Sequence, residues 1–346
     1  MTRAAVIGAG SWGTAFSGLV AANADVVSLW CHGEATAEAI NRSRHNPRYL
    51  AGYELAPNVE ATSSLERAVL GADGVVLALP STHLREVCRE LAGLVGDEVP
   101  VLVLTKGIEE GTGLLMTEVA AAELGAPARV AALSGPNHAE EVCTGAFAAA
   151  VLAASDEALA LRLRALVATP AFRVYVSDDV RGVEACGAVK NVIAIACGLC
   201  AGLGFGDNTL ALIMTRGLAE IGRVVAALGG DPLTCMGLAG MGDLVATCTS
   251  EHSRNRRFGE GFAAGRTLEQ FERETHMVVE GAHAVVSVRE LARSRGVEVP
   301  ICDAVWDIVY GGRSVASVIA SLTGRVPTEE FYGMGRGHSR RESTSC

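Results

Sequence analysis

The chain is expected to fold as an α/β protein in two parts, an N-terminal Rossmann-like dinucleotide-binding domain followed by an all-α domain. Three observations carry this. An apolar strand, Arg3 to Ile7, runs straight into Gly8-Ala9-Gly10-Ser11-Trp12-Gly13 and then into a helix-like run, Thr14 to Ala22. Strands and helices alternate from there to about residue 178. Beyond Val180 the period-two alternation disappears and helical spacing dominates through Thr323. The expected divisions are therefore 1–179 for the dinucleotide-binding domain, 180–327 for the helical substrate domain and 328–346 for a disordered tail.

Composition bounds the partners. A chain of 346 residues, 49% of them apolar, is too long for one compact core and rich enough to fill two. The formal net charge of -10 excludes a general affinity for nucleic acid, so any basic cluster should serve a small anionic ligand. Ten cysteines are scattered through apolar company, and no second Cys-x-x-Cys completes a four-ligand site, so no metal is expected. Buried thiols of a cytoplasmic protein are the better account. Cys197 and Cys200 have redox spacing, but in an Ala/Ile/Leu-rich helix packing is the commoner use. The amino terminus shows no long apolar stretch ahead of polar residues, so no targeting peptide is visible and the cytoplasm is the expected location.

Each element supports the plan in turn. In the glycine turn, Gly8 permits a tight bend, Gly10 lets backbone approach a pyrophosphate, and Gly13 lets strand and helix pack closely. A second strand, Asp25 to Trp30, ends at Cys31-His32-Gly33-Glu34, where an acidic residue would hold a ribose diol and a basic one a 2′-phosphate. Neither sign is clear there, which leaves NAD and NADP both open. Asp73 to Pro80 reads as a buried strand, Leu84 to Leu94 as a helix and Val101 to Leu104 as a strand ending at Thr105-Lys106-Gly107. Lys106 thus falls at the carboxyl edge of a parallel sheet, where such sheets bind ligands. The strand Val130 to Leu133 stops at Ser134-Gly135-Pro136-Asn137-His138-Ala139, a turn that presents backbone amides; His138 reads as a polar loop residue. Ala146 to Ala153 and Phe172 to Val176 are the last strands expected.

In the second half, Val180 to Leu228 reads as one or two buried helices. Lys190 and Asn191 interrupt its apolar run. An ammonium in such company needs a partner or a lowered pKa, unless it snorkels to the surface or marks a helix end. The uninterrupted apolar part, Val192 to Phe205, falls short of the ~20 residues of a membrane span. Asp243, after Gly237-Leu238-Ala239-Gly240-Met241-Gly242, can cap the next helix or orient an ammonium such as Lys190. Ser253-Arg254-Asn255-Arg256-Arg257 sets three guanidiniums beside an N-cap serine, an arrangement suited to phosphate, unless the arginines meet Glu251, Glu260 or Glu269. Glu280 is the only charge in the apolar turn His276 to Gly281; an exposed position on a packed helix is its plain alternative. The Gly, Arg and Ser-rich stretch from Gly333 onward reads as a tail without a core.

Taken together, GAGSWGTA, LTKGIE, LSGPNHAEEV, GAVKNVIAIACGL, GLGFGDNT, LAGMGDL, TSEHSRNRRFG and VVEG occur in the order and spacing of the bacterial-type NAD(P)-dependent glycerol-3-phosphate dehydrogenases, which the chain resembles over roughly residues 3 to 325. The resemblance implies interconversion of sn-glycerol 3-phosphate and dihydroxyacetone phosphate, with NAD or NADP, supplying glycerol 3-phosphate for phospholipid synthesis. It implies Lys190 as acid/base, Asp243 as its orienting group and Lys106 as a second lysine touching substrate and cofactor. Ser253, Arg254 and Asn255 match ligands of the substrate, Arg254 also lying near the cofactor. Gly135 and Asn137 match positions lining the substrate. Ala139 matches the nicotinamide side, and Ser11, Trp12, His32, Val278 and Glu280 the dinucleotide. The implied partner is a small molecule, without nucleic acid or membrane span; a homodimer is compatible with it.

Three positions depart from the family pattern. Ser or Thr followed by Phe is common where Asn137-His138 stands, Arg is usual where Gly33 follows His32, and a small residue is common at Asp207. Two rivals frame the tests. A β-hydroxyacid-type dehydrogenase with the same plan would have no use for the Ser253-Arg254-Asn255 cluster, and a dinucleotide-sensing regulator would bind without turnover.

Overall fold

The computed structural model describes residues 1–334 except 126, 276, 325–328 and 331. Eight strands form one sheet: β1 (Arg3–Ile7), β2 (Val26–Trp30), β3 (Val59–Thr62), β4 (Gly74–Leu77), β5 (Val101–Val103), β6 (Val130–Ser134), β7 (Ala148–Ala153) and β8 (Phe172–Ser177). Their order across the sheet is β3-β2-β1-β4-β5-β6-β7-β8. The first six are parallel, β7 runs antiparallel to β6, and β8 runs parallel to β7. The chain builds outward from β1 through β2 and β3, then crosses back to place β4 on the other flank, so the direction of winding reverses at β1. Crevices outside strand ends at such a reversal are where open α/β sheets bind ligands.

Both faces of this sheet are covered. Ala5 and Ile7 pack with Val75, Leu77 and Leu84 on one side, while Ala4 and Val6 pack with Phe16, Val20 and Leu29 on the other. Successive side chains of one strand therefore enter opposite cores, which is why β1 reads as continuously apolar. The strand β3 and the short helix Leu65–Val69 were not foreseen. Val59-Glu60-Ala61-Thr62 is an edge strand with a polar residue facing out, and four residues give little periodicity to read.

The helical half is wound around Val180–Gly202, whose 23 residues are long and apolar enough to cross a membrane but mostly buried within the protein. It starts at Asp179, whose carboxylate accepts from the Gly182 amide at 2.9 Å. The expected buried stretch divides into two helices, this one and Asp207–Ala227, at a turn where Gly204 has φ +80°. Asp207 begins the second helix, exposed in its first turn, where a carboxylate complements the positive end of the dipole. Glycines set the closest crossing. A Cβ on Gly198 would lie 2.0 Å from the Arg256 carbonyl oxygen, and one on Gly259 would lie 2.3 Å from that of Ile195. Backbone thus lies on backbone where Val180–Gly202 meets Arg254–Ala263, and this fixes the amino end of the latter beside Lys190.

Val318 at the carboxyl end still joins the helical core. Of the expected tail, Tyr332 lies under the Arg223 guanidinium at 4.4 Å, and Met334 is the side chain that a Cβ on Gly222 would strike first. Residues 328, 331 and 335–346 lie outside the described residues.

Candidate functional site

At the glycine turn the three glycines differ in what they make room for. Gly8 has φ +115°, and a Cβ there would sit 2.4 Å from the Ala78 carbonyl oxygen; one on Gly13 would sit 1.9 Å from that of Gly8. Gly8 and Gly13 are required by the protein's own packing. Around Gly10 a Cβ would meet no heavy atom within 4 Å, and the helix Ser11–Ala21 that follows has no side-chain cap. Uncapped amides facing open space beside a glycine are what a pyrophosphate needs, so these residues fit a dinucleotide. Trp12 is held edge-on by Phe16 at 5.2 Å and tilted on Phe172 at 6.3 Å.

Buried Asn46 pins this turn, and nothing in the sequence flagged it. Its Nδ2 donates to the Ala9 carbonyl at 2.9 Å and to Thr14 Oγ1 at 2.8 Å, while its Oδ1 accepts from the amides of Arg48 and Tyr49. The Asn46-Pro47 pair was a turn signal that could have drawn attention.

One cleft runs from this turn into the helical half. Gly10, Ser11, Trp12 and Gly13 line one end; Lys106, Asn137, Ala139 and Lys190 line the middle; Ser253, Arg254, Asn255, Val278 and Glu280 line the rest. Gly8, His32, Gly135 and Asp243 do not line it. His32 is exposed past the end of β2, 6.1 Å from the Trp30 ring. Gly135 and Asp243 are buried within the cleft's floor.

That floor is an ionic cluster. Lys190 is 5% exposed and donates to Asp243 Oδ1 at 2.7 Å and to Thr247 Oγ1 at 2.6 Å. Lys106, at the end of β5, donates to Asp243 Oδ2 at 2.6 Å and to the Gly135 carbonyl at 3.4 Å. Lys190 neither snorkels nor ends a helix, and the Asp243 side chain does not cap: it bridges two ammoniums, one from each half of the chain. Thr247, four residues on, was missed; it donates to the Asp243 carbonyl at 2.6 Å and so offers an oxygen lone pair to Lys190. Gly187 makes room, since a Cβ there would lie 2.9 Å from Ser134 Oγ and 3.4 Å from Lys106 Cγ.

The electrostatics follow from three charges with little water. Two ammoniums and one carboxylate leave a surplus positive charge. Burying an ion costs several kcal/mol even after relaxation, so the cluster relieves itself most easily by losing a proton. Burial, with Lys106 adding to it and Asp243 opposing, brings the Lys190 pKa down to about 8. Burial pushes the Asp243 carboxyl up, but the two ammoniums outweigh it and hold it below the usual carboxylate range.

Toward the helical half, Ser253 caps Arg254–Ala263, its Oγ accepting from the Arg256 amide at 3.2 Å. Only Arg254 of the three arginines lines the cleft, its Nη1 resting 3.3 Å from the Val278 carbonyl. Arg256 turns back to Glu260 at 3.0 Å, the alternative weighed for it, and Arg257 is exposed. Asn255 is engaged on both atoms: Nδ2 donates to Asn191 Oδ1 and Oδ1 accepts from the Gly281 amide, each at 2.9 Å. One N–H of its amide remains for a ligand. Glu280 is not exposed; it accepts from Ser81 Oγ at 2.8 Å, and burial raises its pKa against the pull of that bond and of Arg254. Asn137 carries the clearest signal of a missing partner, because its Nδ2 is buried with no hydrogen-bond acceptor while the residue lines the cleft. His138 is part-buried rather than a free loop residue, with Nε2 3.3 Å from the Ala246 carbonyl and its pKa lowered by burial.

No group of three His, Cys, Asp or Glu side chains among the described residues could hold a metal ion. Thiols meet in pairs, Cys186 with Cys235 at 3.7 Å and Cys197 with Cys248, and burial pushes the Cys200 thiol up to about 11.

A lysine pair sharing one carboxylate at the meeting of a dinucleotide domain and a helical domain is the arrangement against which the chain's relatives can be compared. The family model described as NAD-dependent glycerol-3-phosphate dehydrogenase N-terminus matches residues 3–160, and that of the C-terminus matches residues 179–320. The chain belongs to this family. A glycerol-3-phosphate dehydrogenase [NAD(P)+] of Thermobifida fusca is 46% identical over 336 residues, covering 96% of this chain and all (100%) of the relative. The corresponding Nocardia farcinica protein is 47% identical over 332 residues, covering 94% and 98%. The crystal structure of glycerol-3-phosphate dehydrogenase from Coxiella burnetii superposes with a TM-score of 0.89 at 35% identity, covering 94% of this chain and 99% of that one. Family membership and fold thus agree with the resemblance seen in the motifs.

Proposed function

We propose that the protein interconverts sn-glycerol 3-phosphate and dihydroxyacetone phosphate with NAD or NADP. The observation that carries this is Asp243 bridged by Lys106 and Lys190 on the floor of a cleft that has the glycine turn at one end and Arg254 beyond. The Gly10 opening and the uncapped amides of Ser11–Ala21 hold the pyrophosphate, with Ser11, Trp12, His32, Ala139, Val278 and Glu280 along the dinucleotide. When bound, the reduced nicotinamide supplies hydride to the ketone carbon.

The chain's own residues do the rest. Lys190 gives its Nζ proton to the ketone oxygen in the reductive direction and takes the hydroxyl proton in the other, a role suited to an ammonium held near pH 8. Asp243 fixes Nζ in place and keeps the proton from leaving earlier than burial alone would have it. Lys106, which lines the cleft, touches substrate and cofactor in this reading and stabilises the negative charge gathering on the oxygen. Arg254 grips the phosphoryl group, with Ser253 and the remaining Asn255 N–H beside it. Asn137 spends its idle Nδ2 on a substrate oxygen. Supply of glycerol 3-phosphate to phospholipid synthesis in the cytoplasm, by a homodimer, is the setting we assign.

Arg254→Ala tests the phosphate grip. At saturating nucleotide the KM for dihydroxyacetone phosphate should rise about 10- to 100-fold with little change in kcat. An unchanged KM would withdraw the three-carbon phosphate as substrate.

A further inference from the structure

We infer that the subsite at the end of β2 selects NADH over NADPH. This deepens the reaction proposed above and rests on it. In a dinucleotide fold the segment after the second strand faces the adenosine ribose, and a 2′-phosphate there needs a guanidinium or ammonium to accept it. Positions 31 to 41 hold no lysine or arginine.

The structure accounts for most of the substitutes. Cys31 is 1% exposed, packed in the sheet's core with its amide given to the Thr62 carbonyl. A Cβ on Gly33 would meet nothing nearer than Thr36 Oγ1 at 3.9 Å, so no neighbouring side chain occupies the place where a basic residue would stand. Glu34 begins the helix Glu34–Ser43 and is exposed in its first turn. Its carboxylate stands at the positive end of that helix, where it would repel a phosphate. Arg42, at the far end of the same helix, reaches back to Glu38 at 3.9 Å. Arg44 is spent on backbone carbonyls, donating to Val59 at 2.8 Å and to Leu55 at 3.1 Å. A 2′-phosphate would therefore bring a dianion toward a carboxylate without a committed cation, whereas a ribose diol meets no such repulsion. His32, exposed within the segment itself, and Arg48, exposed on the loop that Asn46 ties to the glycine turn, are basic side chains that the test must exclude.

The test is binding of NADH and of NADPH to the full chain, followed by quenching of tryptophan emission, to which Trp12 in the turn should contribute. NADH should bind about tenfold more tightly or better. Gly33→Arg has extended backbone to occupy (φ −110°, ψ 134°) and open space, so the variant should fold. It should tighten NADPH about tenfold and leave NADH within about twofold. Equal or tighter binding of NADPH by the unmodified chain overturns the inference while sparing the proposed reaction, and its loss in Arg48→Ala would then assign the cation to Arg48. Binding of neither nucleotide overturns both.

Discussion

The glycine turn and the lysine–carboxylate floor sit in one cleft but are built on opposite terms. The turn is made by leaving side chains out. Its constraints are steric and local: Gly8 against Ala78, Gly13 against Gly8. The floor is made by forcing charges together from separate segments, Lys106 after β5, Lys190 in the central helix, Asp243 and Thr247 on a third element. One end of the cleft is therefore stiff and neutral, and the other is poised, holding a proton that little energy would shift. Under the function we propose, this difference divides the work: the turn positions the nucleotide, and the floor handles the proton.

The largest effect should come from breaking the floor alone. Lys190→Ala should lower kcat about 10³-fold, the order expected of a general acid/base, while the dissociation constant for NADH stays within a few-fold. Retained turnover would move the proton transfer elsewhere; lost nucleotide binding would mean that the two regions are not separable.

Within the turn, two glycines can be set against each other. Gly8→Ala places a Cβ 2.4 Å from a carbonyl oxygen at φ +115° and should cost about 2–4 kcal/mol of stability, read as a lower Tm, with nucleotide binding lost as well. Gly10→Ala meets no atom within 4 Å and should leave Tm nearly unchanged, within about 0.5 kcal/mol, while nucleotide affinity falls. Equal losses of Tm would show that Gly10 serves packing rather than the ligand.

The smallest effect lies between the halves. Buried Glu184 of the central helix accepts from the Thr117 amide at 2.9 Å at the start of Met116–Leu124, and burial raises its carboxyl from 4.5 to about 7. The folded chain thus holds this proton more tightly than the unfolded one. That stabilisation is complete below about pH 4.5 and is lost as pH rises through 7. Glu184→Gln should flatten the fall in Tm between pH 5 and 8 by on the order of 2 kcal/mol. Some slope should remain, because Glu220 is buried at the start of Pro300–Val309 with its carboxyl likewise raised to about 7. A fall identical to that of the unmodified protein would remove Glu184 from the balance.

The same contrast explains what could be read from the sequence. The turn was legible because its rules act within a few residues, and Arg3 to Ile7, the three glycines and the following helix sit in one short run. Lys190 was legible as an anomaly, a charge in an apolar helix, yet its partner stayed one of two options for Asp243, since pairing across 53 positions leaves no local pattern. Thr247 and Asn46 went unseen because a threonine or asparagine has many harmless uses, and only burial separates them. Of the arginines 254, 256 and 257, the sequence could not tell which one faces the cleft, because helix phase is set by the glycine crossing at Gly198 and Gly259.

The central claim is that Lys190, held near pH 8 by burial against Asp243, exchanges the proton. The direct measurement is kcat/KM against pH in both directions, for the unmodified protein and for Asp243→Asn. Reduction of dihydroxyacetone phosphate should fall as pH rises through about 8 and oxidation of glycerol 3-phosphate should rise through the same range, with both limbs moving to lower pH in the variant. Rates that change in the same sense in both directions, or limbs that Asp243→Asn leaves in place, would contradict it.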